Sequence, residues 1–251
     1  MIFVKTFYGE NDLRNFSYLI GDDQTGDCWV IDPYEAKPMI DYIKKSSLVL
    51  KSILNTHQHF DHIRGNGELQ QTFHSPISKL KGSGKIQLNS QHCIESLATP
   101  GHTMDHEVFV WKDRDKSVAL FSGDTLFNAG VGNCKNGGNV DMLYRTTEKL
   151  ISGLPDDTLL YPGHDYVKRN LEFALQCEPE NRIIQARLKE IAGEPVGKRR
   201  NFSLAQEKEV NPFLRLSSQG VRQNLNEPEI HDEELFKKHL FHKLRSLRDK
   251  W

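Results

Sequence analysis

The feature that most constrains this chain is the run Thr56-His57-Gln58-His59-Phe60-Asp61-His62, which sets three imidazoles and one carboxylate within six consecutive positions. These are the donor types that borderline divalent cations prefer, so the run reads as a metal site rather than a solvated loop. It follows directly on the apolar pair Ile53-Leu54. If the chain leaves a strand still extended, side chains alternate, and His57, His59 and Asp61 project to one side with Gln58 and Phe60 opposite. His62 breaks that parity. A helix beginning near Asp61 swings it round by a turn, so the run offers His57 and His59 to one ion and Asp61 and His62 to a second.

The remaining ligands are sought at strand ends. Short β-prone runs over residues 3–7, 16–20 and 29–31, separated by Gly, Asn and Asp clusters, predict an antiparallel meander. Asp32-Pro33 stops the third run, and Pro38, Met39 and Ile40 with Tyr42 and Ile43 have amphipathic helical spacing. A strand over 48–54 delivers the histidine run. Residues 94–97 run into Thr99-Pro100-Gly101-His102, residues 118–121 into Ser122-Gly123-Asp124, and residues 158–161 into Pro162-Gly163-His164. The order of strands and helices, including one over 141–151, predicts an α/β fold with functional groups at the carboxyl ends of strands. The candidate set exceeds what one tetrahedral ion uses. His57, His59 and His102 suit one ion, and Asp61, His62 and His164 another. Asp124, with two carboxylate oxygens, suits the bridge between them. Asp61 and Asp124 are thus the carboxylates of the expected reaction centre. His106, close after His102, is expected to orient a ligand rather than be one.

At 251 residues the chain has room for one large domain with a smaller one appended. The expected boundary lies near Val167, with a catalytic unit over 1–166 and a helical substrate-binding unit over 167–251. In the latter, Leu171, Phe173 and Ala174, then Ile183, Ile184, Leu188 and Ile191, have helical spacing. Residues 193–201 read as a linking loop and 235–247 as a final basic helix. The formal charge of −1 gives no general reason to expect nucleic acid or an anionic membrane as partner. No stretch approaches the roughly 18 apolar residues needed to span a bilayer, and the start lacks the pattern of a signal peptide. The four cysteines are widely spaced, without a C-x-x-C pair, which fits a reducing cytoplasm better than a disulfide framework. The glycine-rich stretch from Gly130 to Gly138 lacks phosphate-binding spacing and reads as a wall of the active site. Cys134 within it has no evident base and is not expected to be a nucleophile.

With these motifs in place the chain resembles glyoxalase II, the hydroxyacylglutathione hydrolase branch of the metallo-β-lactamase superfamily. The resemblance rests on T-H-x-H-x-D-H, Gly101-His102-Thr103 with His106, and Gly123-Asp124-Thr125-Leu126-Phe127. Pro162-Gly163-His164-Asp165-Tyr166 and Asn211-Pro212-Phe213-Leu214-Arg215 complete it. It implies an αββα metallo-β-lactamase-like sandwich with a C-terminal helical domain, and two divalent ions, zinc first and iron or manganese as alternatives. The implied substrate is a small-molecule glutathione thioester, S-D-lactoylglutathione, cleaved to glutathione and D-lactate in methylglyoxal detoxification. The implied nucleophile is a water between the two ions. Substrate contacts fall on Tyr166, on Arg245, and on Arg248 where relatives usually carry Lys. The Lys and Tyr that relatives use in the glycine-rich loop align with Asn133 and Lys135. A monomer without nucleic-acid or membrane partner is expected. Two other readings are an iron-dependent persulfide dioxygenase using His57, His102 and Asp124, and a hydrolase acting on the thioester of a different thiol.

Overall fold

Adjacent buried residues within one strand point to opposite faces, and this parity builds the layers of the fold. The computed structural model describes residues 1–225 and 230–251. A first sheet contains β1 (Ile2–Tyr8), β2 (Phe16–Asp22), β3 (Asp27–Ile31) and, after α1 (Ala36–Lys45), β4 (Val49–Leu54). They lie in the order β1-β2-β3-β4, the first three antiparallel and β4 parallel to β3. The meander is therefore as expected. Then come α2 (Phe60–Ile63), α3 (Asn66–Phe73), β5 (Lys85–Gln87), β6 (His92–Ala98), β7 (Glu107–Asp113) and β8 (Lys116–Gly123). The short hairpin β9 (Leu126–Phe127) and β10 (Gly130–Val131) precedes α4 (Val140–Gly153) and β11 (Leu159–Pro162). The second sheet has the order β11-β8-β7-β6-β5, with β11 parallel to β8.

Ile20 of β2 and Ile31 of β3 meet Phe109 of β7 and Phe121 of β8 between the two sheets. Their neighbours Leu19 and Val30 face the other way, under Met39, Ile40 and Ile43 of α1 and Leu69 of α3. On the far side Val108, Val110, Leu120 and Leu160 lie against Leu143 and Leu150 of α4 and Phe241 and Leu244 near the C-terminus. Both sheets are thus covered on both faces, giving the expected αββα sandwich.

Beyond Tyr166 the described chain is helical: α5 (Val167–Cys177), α6 (Arg182–Ala192), α7 (Leu204–Val210), α8 (Gln219–Asn224) and α9 (Glu233–Lys250). A 3-10 turn, Pro212–Leu214, lies between α7 and α8. Residues 193–201 carry no helix or strand, as the linking-loop reading expects. Among the elements that lie where the sequence reading assigned nothing are α3, β5 and β7. The strand β7 is a run of consecutive apolar residues buried on both faces, Val108-Phe109-Val110, which alternation does not mark. No described helix is long and apolar enough to cross a membrane.

Candidate metal centre

Four strands deliver the candidate ligands from their carboxyl ends: β4 leads to His57, β6 to His102, β8 to Asp124 and β11 to His164. The helix α2 begins at Phe60, one residue before the position expected, and turns His62 inward to full burial. Three donor groups result, each with its ligand atoms within 4.8 Å: His57, His59 and His102; Asp61, His62 and His164; and His57, His62 and Asp124. The first two are the expected triads. Asp124 lies between them, with Oδ1 at 3.3 Å from His62 Nε2 and 3.2 Å from His164 Nε2, and Oδ2 at 3.5 Å from His102 Nε2.

Backbone geometry makes this approach possible at two glycines. Gly123 has φ +47, and a Cβ there would meet Thr56 Oγ1 at 2.4 Å. A Cβ on Gly163 would stand 2.5 Å from Asp124 Oδ1 and 2.9 Å from His62 Cε1, inside the donor cluster itself.

The outer partners of the imidazoles decide which nitrogen is bare. His164 Nδ1 lies 2.8 Å from the carbonyl oxygen of Leu13, and His102 Nδ1 lies 2.7 Å from that of Asn133. A carbonyl only accepts, so both rings carry their proton on Nδ1 and turn a bare Nε2 inward. Asp32 sets two more rings. Its Oδ2 accepts from His62 Nδ1 at 2.9 Å and from the Thr56 hydroxyl at 2.6 Å, and its Oδ1 accepts from Thr56 N at 2.7 Å. Having donated to Asp32, the Thr56 hydroxyl accepts from His57 Nδ1 at 3.0 Å. Asn15 Nδ2 donates to Asp61 Oδ2 at 2.8 Å. As expected of a positioning residue, His106 stands behind the ligands: its Nε2 accepts from Asp124 N at 3.1 Å and its ring stacks on His57.

Inward-facing nitrogens then approach one another as donors to a common centre do: His57 Nε2 to His59 Nδ1 at 2.9 Å, His102 Nε2 to His59 Nδ1 at 3.0 Å, and His62 Nε2 to His164 Nε2 at 3.2 Å. The buried Oδ1 of Asp124 has no hydrogen-bond partner. Such a cluster is held together by protons or by cations. Burial pushes His57 and His102 below the ordinary imidazole range, which keeps them neutral and able to ligate. For His62 burial works against charge, but the Asp124 and Asp32 carboxylates outweigh it and raise its pKa well above the ordinary value. Asp124 is pulled well below the usual carboxylate range, the His164 and His62 rings outweighing its burial. The position that attracts a second proton on His62 is the one a dication would take. The residues present therefore fit a site for two metal ions.

A cavity of about 340 Å³ lies beside the second triad and is lined by all five residues expected to contact substrate: Tyr166, Arg245, Arg248, Asn133 and Lys135. Tyr166 stacks on His164 with ring centroids 4.9 Å apart. Only part of the basic equipment is free to meet a ligand. Arg245 is buried and donates to the carbonyl oxygens of Val131 and Gly132 at 2.9 and 3.1 Å and to Asp249 at 2.9 Å. Lys135 Nζ lies 3.3 Å from the Asp249 backbone oxygen, and the Asn133 side chain accepts from Lys135 N. Arg248 donates to Asn170 Oδ1. Cys134 is pushed up to about 11 by burial and is no thiolate near neutral pH.

Sequence reasoning missed Asp32, Thr56, Asn15 and the Leu13 carbonyl. Asp32 could have been found, since it is another carboxylate at a strand end, held at φ 49 before Pro33. Asn15 and Leu13 lie far from their partners in sequence, and no local signal marks them.

Sandwich, strand-end ligands and paired donor groups define an enzyme of the metallo-β-lactamase superfamily with a site for two metal ions. Residues 11–81 match the family model described as metallo-beta-lactamase superfamily, and residues 165–251 match that of the hydroxyacylglutathione hydrolase C-terminus. The hydroxyacylglutathione hydrolase of Polaromonas sp. (strain JS666 / ATCC BAA-500) is 39% identical over 264 residues, covering 99% of each chain. That of Nitrosococcus oceani is 36% identical over 267 residues, again with 99% of each chain covered. The crystal structure of ETHE1 from Myxococcus xanthus shares the fold at a TM-score of 0.64 and 24% identity, over 97% of this chain and 99% of its own. With such identity along its whole length, this chain belongs to the hydroxyacylglutathione hydrolase family.

Proposed function

We propose that this chain hydrolyses S-D-lactoylglutathione to glutathione and D-lactate. The observation that carries the reading is the cavity beside the second donor triad, which Tyr166 and Arg248 line, with the Tyr166 ring stacked on that of His164. When bound, two divalent cations supply Lewis acidity and make a water acidic enough to serve as nucleophile, at a pKa of roughly 7 in single-zinc precedents. Zinc suits the all-imidazole triad of His57, His59 and His102, and the carboxylates admit iron or manganese as alternatives.

The chain's own residues do the rest. His57, His59 and His102 would hold one ion and Asp61, His62 and His164 the other, with the Asp124 carboxylate between the two donor groups available to both. Burial, with the Asp124 and Asp61 carboxylates, raises the Tyr166 pKa, so its hydroxyl stays a hydrogen-bond donor at neutral pH. Arg248, oriented by Asn170, faces the carrier end of the substrate. Water adds its oxygen to the thioester carbonyl carbon, the carbon–sulfur bond breaks, and the thiolate takes up the proton.

We assign the catalytic unit to residues 1–166 and substrate binding to 167–251, in a cytoplasmic monomer. The C-terminal family match supports the division of the chain, and the four free cysteines support the compartment. The test is turnover of S-D-lactoylglutathione against thioesters of coenzyme A, read as released thiol, alongside elemental analysis. Two ions per chain and preference for the glutathione thioester are expected. Faster cleavage of coenzyme A thioesters contradicts the carrier. One ion per chain, with Asp61→Ala leaving the content unchanged, contradicts the paired site.

A further inference from the structure

The basic residues that the family resemblance assigns to the carrier are mostly committed elsewhere: Arg245 to loop carbonyls and Asp249, Lys135 to the Asp249 region. A cation with no assigned role, Arg169 of α5, lines the same cavity as Arg248. Both guanidiniums lie over the Trp251 ring, at 6.0 Å for Arg169 and 5.6 Å for Arg248. Arg169 Nη2 donates to the Trp251 backbone oxygen. The cavity does not stop there. A second space of about 430 Å³ adjoins it and shares Asp12, Tyr166, Arg169 and Trp251, so Arg169 lines both.

We infer that Arg169 and Arg248 together bind the glycine carboxylate of the thiol carrier, with Trp251 as their common support, making Arg169 a specificity-determining residue. This rests on the glutathione reading given above. Like charges brought this close repel, and an anion between them removes the repulsion. Consistent with that, burial and then the charges of Arg169 and Arg245 push the Arg248 guanidinium down to about 10. The glycine end of glutathione is a lone anion. The γ-glutamyl end carries an ammonium beside its carboxylate and has little net charge for a guanidinium pair to attract. A guanidinium pair supplies forked donors to both carboxylate oxygens, which a lysine in the glycine-rich loop cannot do.

The test compares fully metallated wild type, Arg169→Ala and Arg169→Lys on S-D-lactoylglutathione and on the same thioester with its glycine carboxylate amidated. Wild type should show a higher KM for the amide. In Arg169→Ala the KM for the carboxylate substrate should rise about fivefold, the scale of an exposed charge contact. Its kcat should hold, because a contact remote from the reacting carbonyl acts equally in ground and transition states. The ratio of the two KM values should fall by the same factor, with Arg169→Lys in between. A residue that merely packs on Trp251 would move both KM values together, and that result overturns the inference. So does a wild type that treats the two thioesters alike. Failure of wild type to hydrolyse either one would instead refute the glutathione reading itself.

Discussion

Replacing Asp32 by Asn tests whether the outer hydrogen bonds, and not the ligands alone, make the second metal position. The carboxylate is buried and accepts three hydrogen bonds, from Thr56 N, the Thr56 hydroxyl and His62 Nδ1, at 2.7, 2.6 and 2.9 Å. An amide of the same shape has one accepting oxygen. If that oxygen takes the Oδ1 position, the amide NH2 faces His62 Nδ1, and His62 must move its proton to Nε2, the atom that would ligate. If it takes the Oδ2 position, the NH2 meets the Thr56 N–H, donor against donor. Either arrangement costs about 1 to 3 kcal/mol, the penalty of an unmatched buried donor. Loss of such an outer partner commonly weakens a metal site 10- to 100-fold. The expected result is a second dissociation constant weaker by roughly that factor, measured by competition with a chromophoric chelator. The first site, reached only through Thr56, should change at least about tenfold less than that. Imidazole nitrogen shifts in NMR spectra should show the His62 ring exchanging tautomer. A folded Asp32→Asn protein that binds two ions with unchanged affinity would refute the reasoning.

Two further substitutions probe the packing around the centre. Gly163→Ala places a methyl 2.5 Å from Asp124 Oδ1, so the metal content of the folded protein should drop, and full retention on elemental analysis contradicts the close approach. Glu207, fully buried in α7, is raised by burial from 4.5 to about 7, so between those pH values the folded state keeps a proton that the unfolded chain has lost. Stability relative to Glu207→Gln should therefore fall by about 3 kcal/mol as pH rises through that window and stay level above it; a pH-independent difference in chemical denaturation would show the carboxyl titrating normally.

The candidate donor groups were legible because four of their members follow shortly on strand ends and because imidazoles and a carboxylate so close in sequence suit a divalent cation. Alternation placed His57 and His59 together, and the break at Asp61 turned His62 inward, as α2 shows. The orienting groups were not legible, because hydrogen-bond partners such as Leu13 with His164 or Asn15 with Asp61 are joined only by the folded chain. Arg245 lies between these cases. Its place four residues after Phe241 and four before Asp249 is the buried face of α9, and that spacing could have marked it as a packed, paired arginine. The tail motif also changes meaning in the fold. Asn211 caps the 3-10 turn and donates to the Gly130 carbonyl, and Arg215 pairs with Glu178, so these residues shape the hairpin and the helical layer without lining the cavity.

Those contacts show how side chains that line the cavity can vary while the donor cluster keeps its orientation. The β9–β10 hairpin is held from the helical side at several points: Glu207 accepts from Asn128 and Ala129, Asn170 donates to the Asn128 carbonyl, and Asn211 donates to that of Gly130. Arg245 then fixes the next two carbonyls, Val131 and Gly132, and the carbonyl after those, on Asn133, fixes the proton of His102. The loop thus orients a metal ligand through its backbone and lines the substrate cavity with its side chains. Backbone carbonyls are independent of residue type, so the side chains at positions 133 and 135 can vary without disturbing the contact that orients His102. On the inference drawn above, the second cation for the carrier comes from another element altogether, since Arg169 of α5 lines the same cavity as Arg248.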